Sequence, residues 1–135
     1  MIVLDACALV EIVRQTDKGK ALEALMLKDE AVISCDLIRA EATSVFRKIA
    51  RVEKLPASEA ERYLDAGLSI VNEFHPLGPL QAEALRESIR YDHSVYDMFY
   101  FVLARRTGST LFTVDNKLAA LCEKHGVDCI AEVSL

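Results

Sequence analysis

The stretch His93–Leu118, HSVYDMFYFVLARRTGSTLFTVDNKL, decides the fold. From Val95 to Ala104 nine of ten residues are apolar, and the exception is Asp97. At about 100° per residue those apolar side chains cover every side of a helix. A helix apolar all round is normally buried. Ser94 is placed to N-cap it, Arg105 and Arg106 suit its negative C-terminal end, and Gly108 can end it. Thr110–Val114 then reads as a strand, with a second lone acid, Asp115, at its C-terminal end. Asp97 therefore falls in the first turn of a central helix. Ser94-x-x-Asp97 has the spacing of a capping box. The other reading is that a carboxylate beside so much apolar surface takes a partner or a cation. Ligands of open α/β sheets sit at the carboxyl ends of strands, where Asp115 stands.

Two further acids have similar placements. Ile2-Val3-Leu4 is a short apolar run that reads as a buried parallel strand, and Asp5 ends it. Ala6–Arg14 has a helical pattern, so Asp5 is also placed to N-cap that helix. Thr16-Asp17 opens a helix to about Lys28, with Leu22, Leu25 and Met26 inward. Ala31–Cys35 is a second strand, followed by Asp36 as the expected cap of a helix from Leu37 to Arg51. Ile38, Ala42, Val45 and Ile49 form its core stripe. Glu41 lies at the edge of that stripe, between core and solvent, with Lys48 and Arg51 further along the same side as possible ion-pair partners.

A helix from Ser58 to Asn72 turns Tyr63, Leu64, Leu68 and Val71 inward. Phe74–Leu77 is extended, and Pro79 opens a helix to Tyr91. Asn116–His125 is the last helix, and Val127–Ile130 a short last strand. His75, His93 and His125 share no spacing and read as structural or surface residues. The order β-α-α-β-α-α-α-α-β-α-β points to helices around a parallel sheet.

At 135 residues a single domain, residues 1–135, is expected. The sequence is 52% hydrophobic, but no apolar run approaches the roughly 18 residues of a membrane span. The N-terminus lacks a basic leader, and a cytoplasmic protein is expected. Cys7, Cys35, Cys122 and Cys129 form no Cys-x-x-Cys pair; they read as free thiols, with a zinc site from widely spaced cysteines as the alternative. A net charge of −5 argues against a general nucleic-acid coat but not against a nuclease with clustered acids and a separate basic path.

If the strands are parallel and adjacent, Asp5, Glu41, Asp97 and Asp115 reach one end of the sheet. Clustered carboxylates repel and do not all stay ionised inside a protein. A hard divalent cation removes that conflict. Mg²⁺ and Mn²⁺ favour oxygen ligands and keep waters for a substrate phosphate, and such a site can lower the pKa of a bound water and stabilise charge on an in-line phosphoryl transition state. Thr113, two residues before Asp115, can orient that carboxylate or a water, or can simply be a β-branched strand residue.

The sequence resembles the PIN domain, in particular the small VapC-like ribonuclease toxins. The resemblance rests on Ile2-Val3-Leu4-Asp5, on Leu37-Ile38-Arg39-Ala40-Glu41, on Ser94-Val95-Tyr96-Asp97 followed by Phe99-Tyr100 and Leu103-Ala104, and on Leu111 to Leu118. It implies a three-layer α/β/α domain with a short central parallel sheet flanked by helices. It further implies a metal-dependent endoribonuclease in which Asp5, Glu41, Asp97 and Asp115 are catalytic and bind one or two Mg²⁺ or Mn²⁺ ions, with Thr113 and Ser94 in support. RNA as substrate, a small antitoxin as partner and a homodimer are expected on the same ground. Lys48, Arg51 and Lys117 are candidate RNA contacts, with Arg39, Arg47, Arg105 and Arg106 as further basic residues. Where the family often has a hydroxyl two residues after the first acid, this chain has Cys7, a poor ligand for Mg²⁺.

Rival readings are weaker. A haloacid-dehalogenase-like phosphatase would have an Asp where Cys7 stands. A phospho-receiver domain would have paired early acids and a Lys ending a late strand, and neither is present. A non-catalytic PIN-like protein that binds RNA or a partner is the remaining alternative.

Overall fold

The computed structural model of the protein describes residues 1–26 and 29–131. Its core is a sheet of five parallel strands. These are β1 (Ile2–Leu4), β2 (Val32–Cys35), β3 (Glu73–His75), β4 (Thr110–Phe112) and β5 (Cys129–Ile130), in the spatial order β3-β2-β1-β4-β5. The helices are α1 (Ala6–Arg14), α2 (Asp17–Ala24), α3 (Leu37–Glu53), α4 (Ala57–Leu68), α5 (Gln81–Tyr91), α6 (Val95–Thr107) and α7 (Asn116–Lys124). The expected three-layer α/β/α architecture, with helices flanking a short parallel sheet, is therefore present.

Burial explains which runs became strands. β1 is central, so both faces are covered and every residue is apolar and buried. β3 was expected only as extended chain. It is an edge strand, half-exposed, with Glu73 and His75 either side of Phe74. A short, charged edge protects a sheet from further pairing, and the same composition hides the strand from a hydrophobic pattern.

α6 packs across β1, β2 and β4, with α5 against it. Met98 to Ala104 are all buried, as a helix apolar all round requires. Its C-terminal end is tied to α5 by charge. Arg105 donates to Glu87 Oε2 at 2.7 Å and Glu83 Oε1 at 2.9 Å, and Arg106 donates to Glu83 Oε2 at 2.8 Å. Glu87 is only 4% exposed, and a buried carboxylate needs such a partner. Both arginines, expected as part of a basic path, are thus committed to α5. Gly108, at φ +63°, ends α6 in the left-handed conformation glycine adopts without strain.

Several boundaries moved. α2 ends at Ala24 rather than near Lys28, which lies outside the described residues, and Leu25 is exposed instead of inward. The buried stripe of α3 is Ile38, Ala42 and Phe46, with Val45 and Ile49 only partly covered. Phe46 takes this place because α4 brings Tyr63 to stack on it at 5.9 Å. α4 stops at Leu68, four residues before the expected Asn72, because the chain turns into β3. Gly78–Leu80 is a 3-10 turn, and α5 begins only at Gln81.

α1 and α2 approach so closely that a Cβ on Gly19 would lie 1.9 Å from the Glu11 carbonyl oxygen. The obstacle is backbone and cannot rotate away. Gly19→Ala is expected to destabilise the fold by about 1–3 kcal/mol, measured by urea unfolding; an unchanged midpoint would contradict this packing.

Candidate active site

The strand order places a site before any side chain is considered. From β1 the chain winds outward to β2 and β3, then returns to lay β4 on the other side of β1. The crevice beyond the carboxyl ends of β1 and β4 is the switch point, where open parallel sheets bind ligands. Leu4 pairs with Phe112, so the next residues, Asp5 and Thr113, emerge side by side. The Asp5 N–H donates to the Phe112 carbonyl at 3.3 Å, continuing the ladder to the rim. Asp115 follows two residues later as the N-cap of α7.

Two helices complete the rim. α3 starts directly after β2, the neighbour of β1, and carries Glu41 in its second turn. α6 carries Asp97 in its first turn. Asp5, Glu41, Asp97 and Asp115 line one open cleft of about 280 Å³, together with Cys7, Ser44, Lys48 and Tyr100.

Each carboxylate is held by the protein through one named oxygen. Asp5 Oδ1 accepts from the Ala8 N–H at 2.9 Å and from the Cys7 thiol at 3.1 Å. Capping α1 and facing the cleft are therefore compatible. Asp115 Oδ1 accepts from the N–H groups of Lys117 and Leu118 at 2.9 and 3.2 Å. Glu41 Oε1 accepts from the Tyr100 hydroxyl at 2.6 Å, and Asp97 Oδ2 lies 2.8 Å from His93 Nε2. Thr113, fully buried, joins the two strand ends: its hydroxyl meets the Cys7 sulfur at 3.6 Å, whose thiol donates to Asp5, and it accepts from the Asp115 N–H at 3.0 Å.

Burial and mutual repulsion resist full ionisation. Burial pushes the Asp5 carboxyl up to about 6, against bonds from Thr113, Ala8 and Cys7, and the charge of Asp97 adds to the rise. Burial raises Glu41, with repulsion from Asp97 adding to it and the Tyr100 bond opposing it. Burial also raises Asp97, opposed by His93 and reinforced by Asp115. Asp97 is thus the hub through which the other three acids repel. Burial and the charge of Asp5 push the Cys7 thiol up to about 12, so it stays protonated and donates to Asp5.

Other expected residues fall differently. Ser94 makes no side-chain cap to α6, and Asp97 pairs with His93, so the capping box does not form. Asp36 also makes no side-chain cap; its residue is already helical in conformation and its carboxylate meets Arg39 at 3.4 Å. Arg39 lies over the Phe74 ring, with its guanidinium carbon 3.7 Å from the ring centre. Lys48 reaches the cleft, while Arg51 and Lys117 are exposed on α3 and α7. Cys7, Cys35, Cys122 and Cys129 are free thiols. His75 sits near Glu73 and His125 stacks on Tyr91, both structural.

The sequence pattern reads His93 as a structural or surface residue and Tyr100 as part of an apolar helix, yet both hold a cleft carboxylate. The available signal for His93 was its i,i+4 spacing to Asp97. For Tyr100 it was a polar tip in an otherwise apolar helix, which needs a partner when buried. Tyr100→Phe is expected to raise the Glu41 carboxyl further, because the bond favouring its charged form is gone. Carboxyl NMR titration against pH reads this directly; an unmoved or lowered Glu41 would refute it.

The donor set suits a hard divalent cation, since oxygen ligands from four acids repel through one hub. Among the described residues no three carboxylates, imidazoles or thiols are grouped closely enough to enclose an ion, and Mg²⁺ typically takes one or two carboxylates and keeps several waters. Among the described residues no helix is long and apolar enough to cross a membrane.

Comparison with known proteins agrees with this fold. No curated protein matches the sequence. Among solved structures, PAE2754 from Pyrobaculum aerophilum is 27% identical, with TM-score 0.67 over 88% of this chain and 84% of that one. VapC20 of Mycobacterium tuberculosis, a sarcin-ricin loop cleaving toxin, is 17% identical with TM-score 0.70 over 90% of this chain and 95% of its own. VapBC2 from Rickettsia felis, bound to a DNA fragment from its promoter, is 17% identical with TM-score 0.69 over 98% and 100%. The last two are likenesses of fold. The sequence itself matches the PIN domain over residues 2–124, a span that holds all four strands and helices bearing the cleft acids, and the chain belongs to the PIN domain family.

Proposed function

We propose that the protein is a metal-dependent endoribonuclease of the VapC-like toxin kind. The observation that carries this reading is the convergence of Asp5, Glu41, Asp97 and Asp115, from four separate elements, on one cleft at the switch point. No isolated cap explains that convergence. The family match and the fold shared with a sarcin-ricin loop cleaving toxin support it.

Asp5, Glu41, Asp97 and Asp115 would hold one or two Mg²⁺ or Mn²⁺ ions. The metal supplies an activated water and charge neutralisation at an in-line phosphoryl transition state. The chain's own groups prepare for this. Thr113 holds the Asp115 backbone and meets the Cys7 thiol that donates to Asp5, so the two strand ends are linked through one buried hydroxyl. Tyr100 turns Glu41 by holding one oxygen. Lys48 is the basic residue among those lining the cleft and is placed to meet a substrate phosphate. Arg51 and Lys117, exposed on α3 and α7, are the further candidate RNA contacts, and phosphate contacts of this kind make binding salt-sensitive. Among the described residues Ser94 makes no side-chain hydrogen bond that assigns it a part.

A small antitoxin covering the cleft and a homodimer follow from the same reading. The solved VapBC2 assembly supports the antitoxin expectation. The test is cleavage of a mixed-sequence labelled RNA by antitoxin-free protein with Mg²⁺, Mn²⁺ or EDTA. Metal-dependent cutting that disappears in Asp5→Asn is expected. Cutting that persists in EDTA or in the variant would defeat the proposal.

A further inference from the structure

Asp97, the hub of the cleft, is not left to orient itself. The imidazole of His93 holds its Oδ2 at 2.8 Å from one turn away. Its Oδ1 has no hydrogen-bond partner among the described residues. The imidazole is in turn delivered by a fixed backbone. Asp92 ends α5 at φ +49°, a left-handed conformation that aspartate tolerates better than most residues. The following peptide is gripped by one side chain and one carbonyl of the last turn. The His93 N–H donates to the Ser88 carbonyl at 3.2 Å, and Ser88 Oγ donates to the His93 carbonyl at 2.5 Å. Ser88, His93 and Asp97 thus form a relay from the end of α5 into the first turn of α6.

A local alternative exists and is not used. Ser94 and Asp97 have capping-box spacing, yet Ser94 makes no side-chain cap and the carboxylate turns to His93 instead. An Asp used for capping would direct its oxygens at backbone N–H groups. An Asp held from outside by an imidazole has one oxygen fixed and one to spare. The His93 side chain is 13% exposed and that of Asp97 25%, so the bond is only partly open to solvent. A surface i,i+4 pair of this kind adds only about 0.3–0.5 kcal/mol to a helix. The Ser88 clamp acts on the His93 backbone and fixes where the side chain leaves it, while the imidazole itself bonds Asp97.

We infer that His93, clamped by Ser88, is a positioning residue that orients Asp97 so that its free oxygen serves as a metal donor. The inference rests on the metal-dependent reading above. The hydrogen bond needs only an N–H at Nε2, and no change of charge on the imidazole is involved. A glutamine places its amide nitrogen at a similar reach, whereas alanine supplies no donor.

The test is Mn²⁺ affinity, measured by calorimetric titration of the full chain without RNA, for wild type, His93→Ala and His93→Gln. Melting of each metal-free protein is followed in parallel. Losing an outer-shell partner of a metal ligand weakens binding by about 10–100-fold. His93→Ala is expected to show a loss of about that size, with His93→Gln recovering most of it and the metal-free melting temperatures little changed. A His93→Ala affinity within about twofold of wild type overturns the inference while leaving the metal site standing. A His93→Gln protein no tighter than His93→Ala also overturns it. A wild type that binds no Mn²⁺ overturns the inference and the metal-dependent reading together.

Discussion

Asp5→Asn is expected to lower RNA cleavage by about 10²–10³-fold and, at the same time, to stabilise the metal-free protein. The loss of activity follows from removing a charged oxygen donor at the meeting of β1 and β4. Loss of several kcal/mol of transition-state stabilisation corresponds to a drop of about 10²–10³-fold. The gain in stability follows from burial. The Asp5 carboxyl is 4% exposed and is pushed up to about 6, above its ordinary range. The folded state therefore holds its proton more tightly than the unfolded chain does. The stabilisation from that proton is fully present below the unfolded value of about 4 and is lost as pH rises through about 6. Above that window the metal-free fold carries the cost of a buried charge.

Asparagine keeps an oxygen for the Ala8 N–H and removes the charge. The expected gain is about 1–3 kcal/mol at pH 7, shrinking to nothing below about pH 4, measured by urea unfolding in EDTA. A variant equally destabilised at both pH values would show that Asp5 serves only as the cap of α1. A site that opposes stability where it supports chemistry is the usual trade-off at functional positions.

The second large effect concerns metal linkage. Mg²⁺ or Mn²⁺ is expected to raise the melting temperature of the wild type. At about 100 times Kd the linkage is worth roughly 2.7 kcal/mol. For a chain of this size that is a rise of roughly 10 °C. Asp97→Asn is expected to remove most of the rise without unfolding the protein. Asp97 is the informative choice because its charge acts on both Asp5 and Glu41, and Asp115 acts on it. The neutral variant relieves repulsion through the hub, so its metal-free form should melt no lower than wild type. Thermal melts with and without the ion decide the matter. A wild type indifferent to both ions would count against the site as drawn.

The two effects are separable. Asp5→Asn tests burial and chemistry at the sheet. Asp97→Asn tests whether the acids act together. If metal stabilises the wild type and Asp97→Asn alike, Asp97 is a helix residue paired with His93 and nothing more.

Much of the fold was legible from local patterns. An apolar run broken by one acid marked β1 and Asp5, and the same punctuation marked β4 and Asp115. The all-apolar α6 announced its own burial. These features are short-range: periodicity, caps and breakers act within a few residues, so neighbours in sequence suffice to read them. The edge strand β3 was not legible, because an exposed edge has no need of an apolar pattern. Nor were the caps of α3 and α6 correctly read, since Asp36 and Ser94 have capping composition but the wrong surroundings.

The sequence by itself therefore determined the parallel α/β class, its central helix and the four acids worth watching. Only the tertiary structure decided which side chains meet. Tyr100 and Glu41 lie 59 residues apart and touch because α6 packs across β1 and β2, and α3 starts directly after β2. The register Leu4↔Phe112 sets Asp5 beside Thr113, and ion pairs with Glu83 and Glu87 withdraw Arg105 and Arg106 from any basic path. Such contacts depend on strand order and helix packing, which are properties of the whole chain, and no local pattern encodes them.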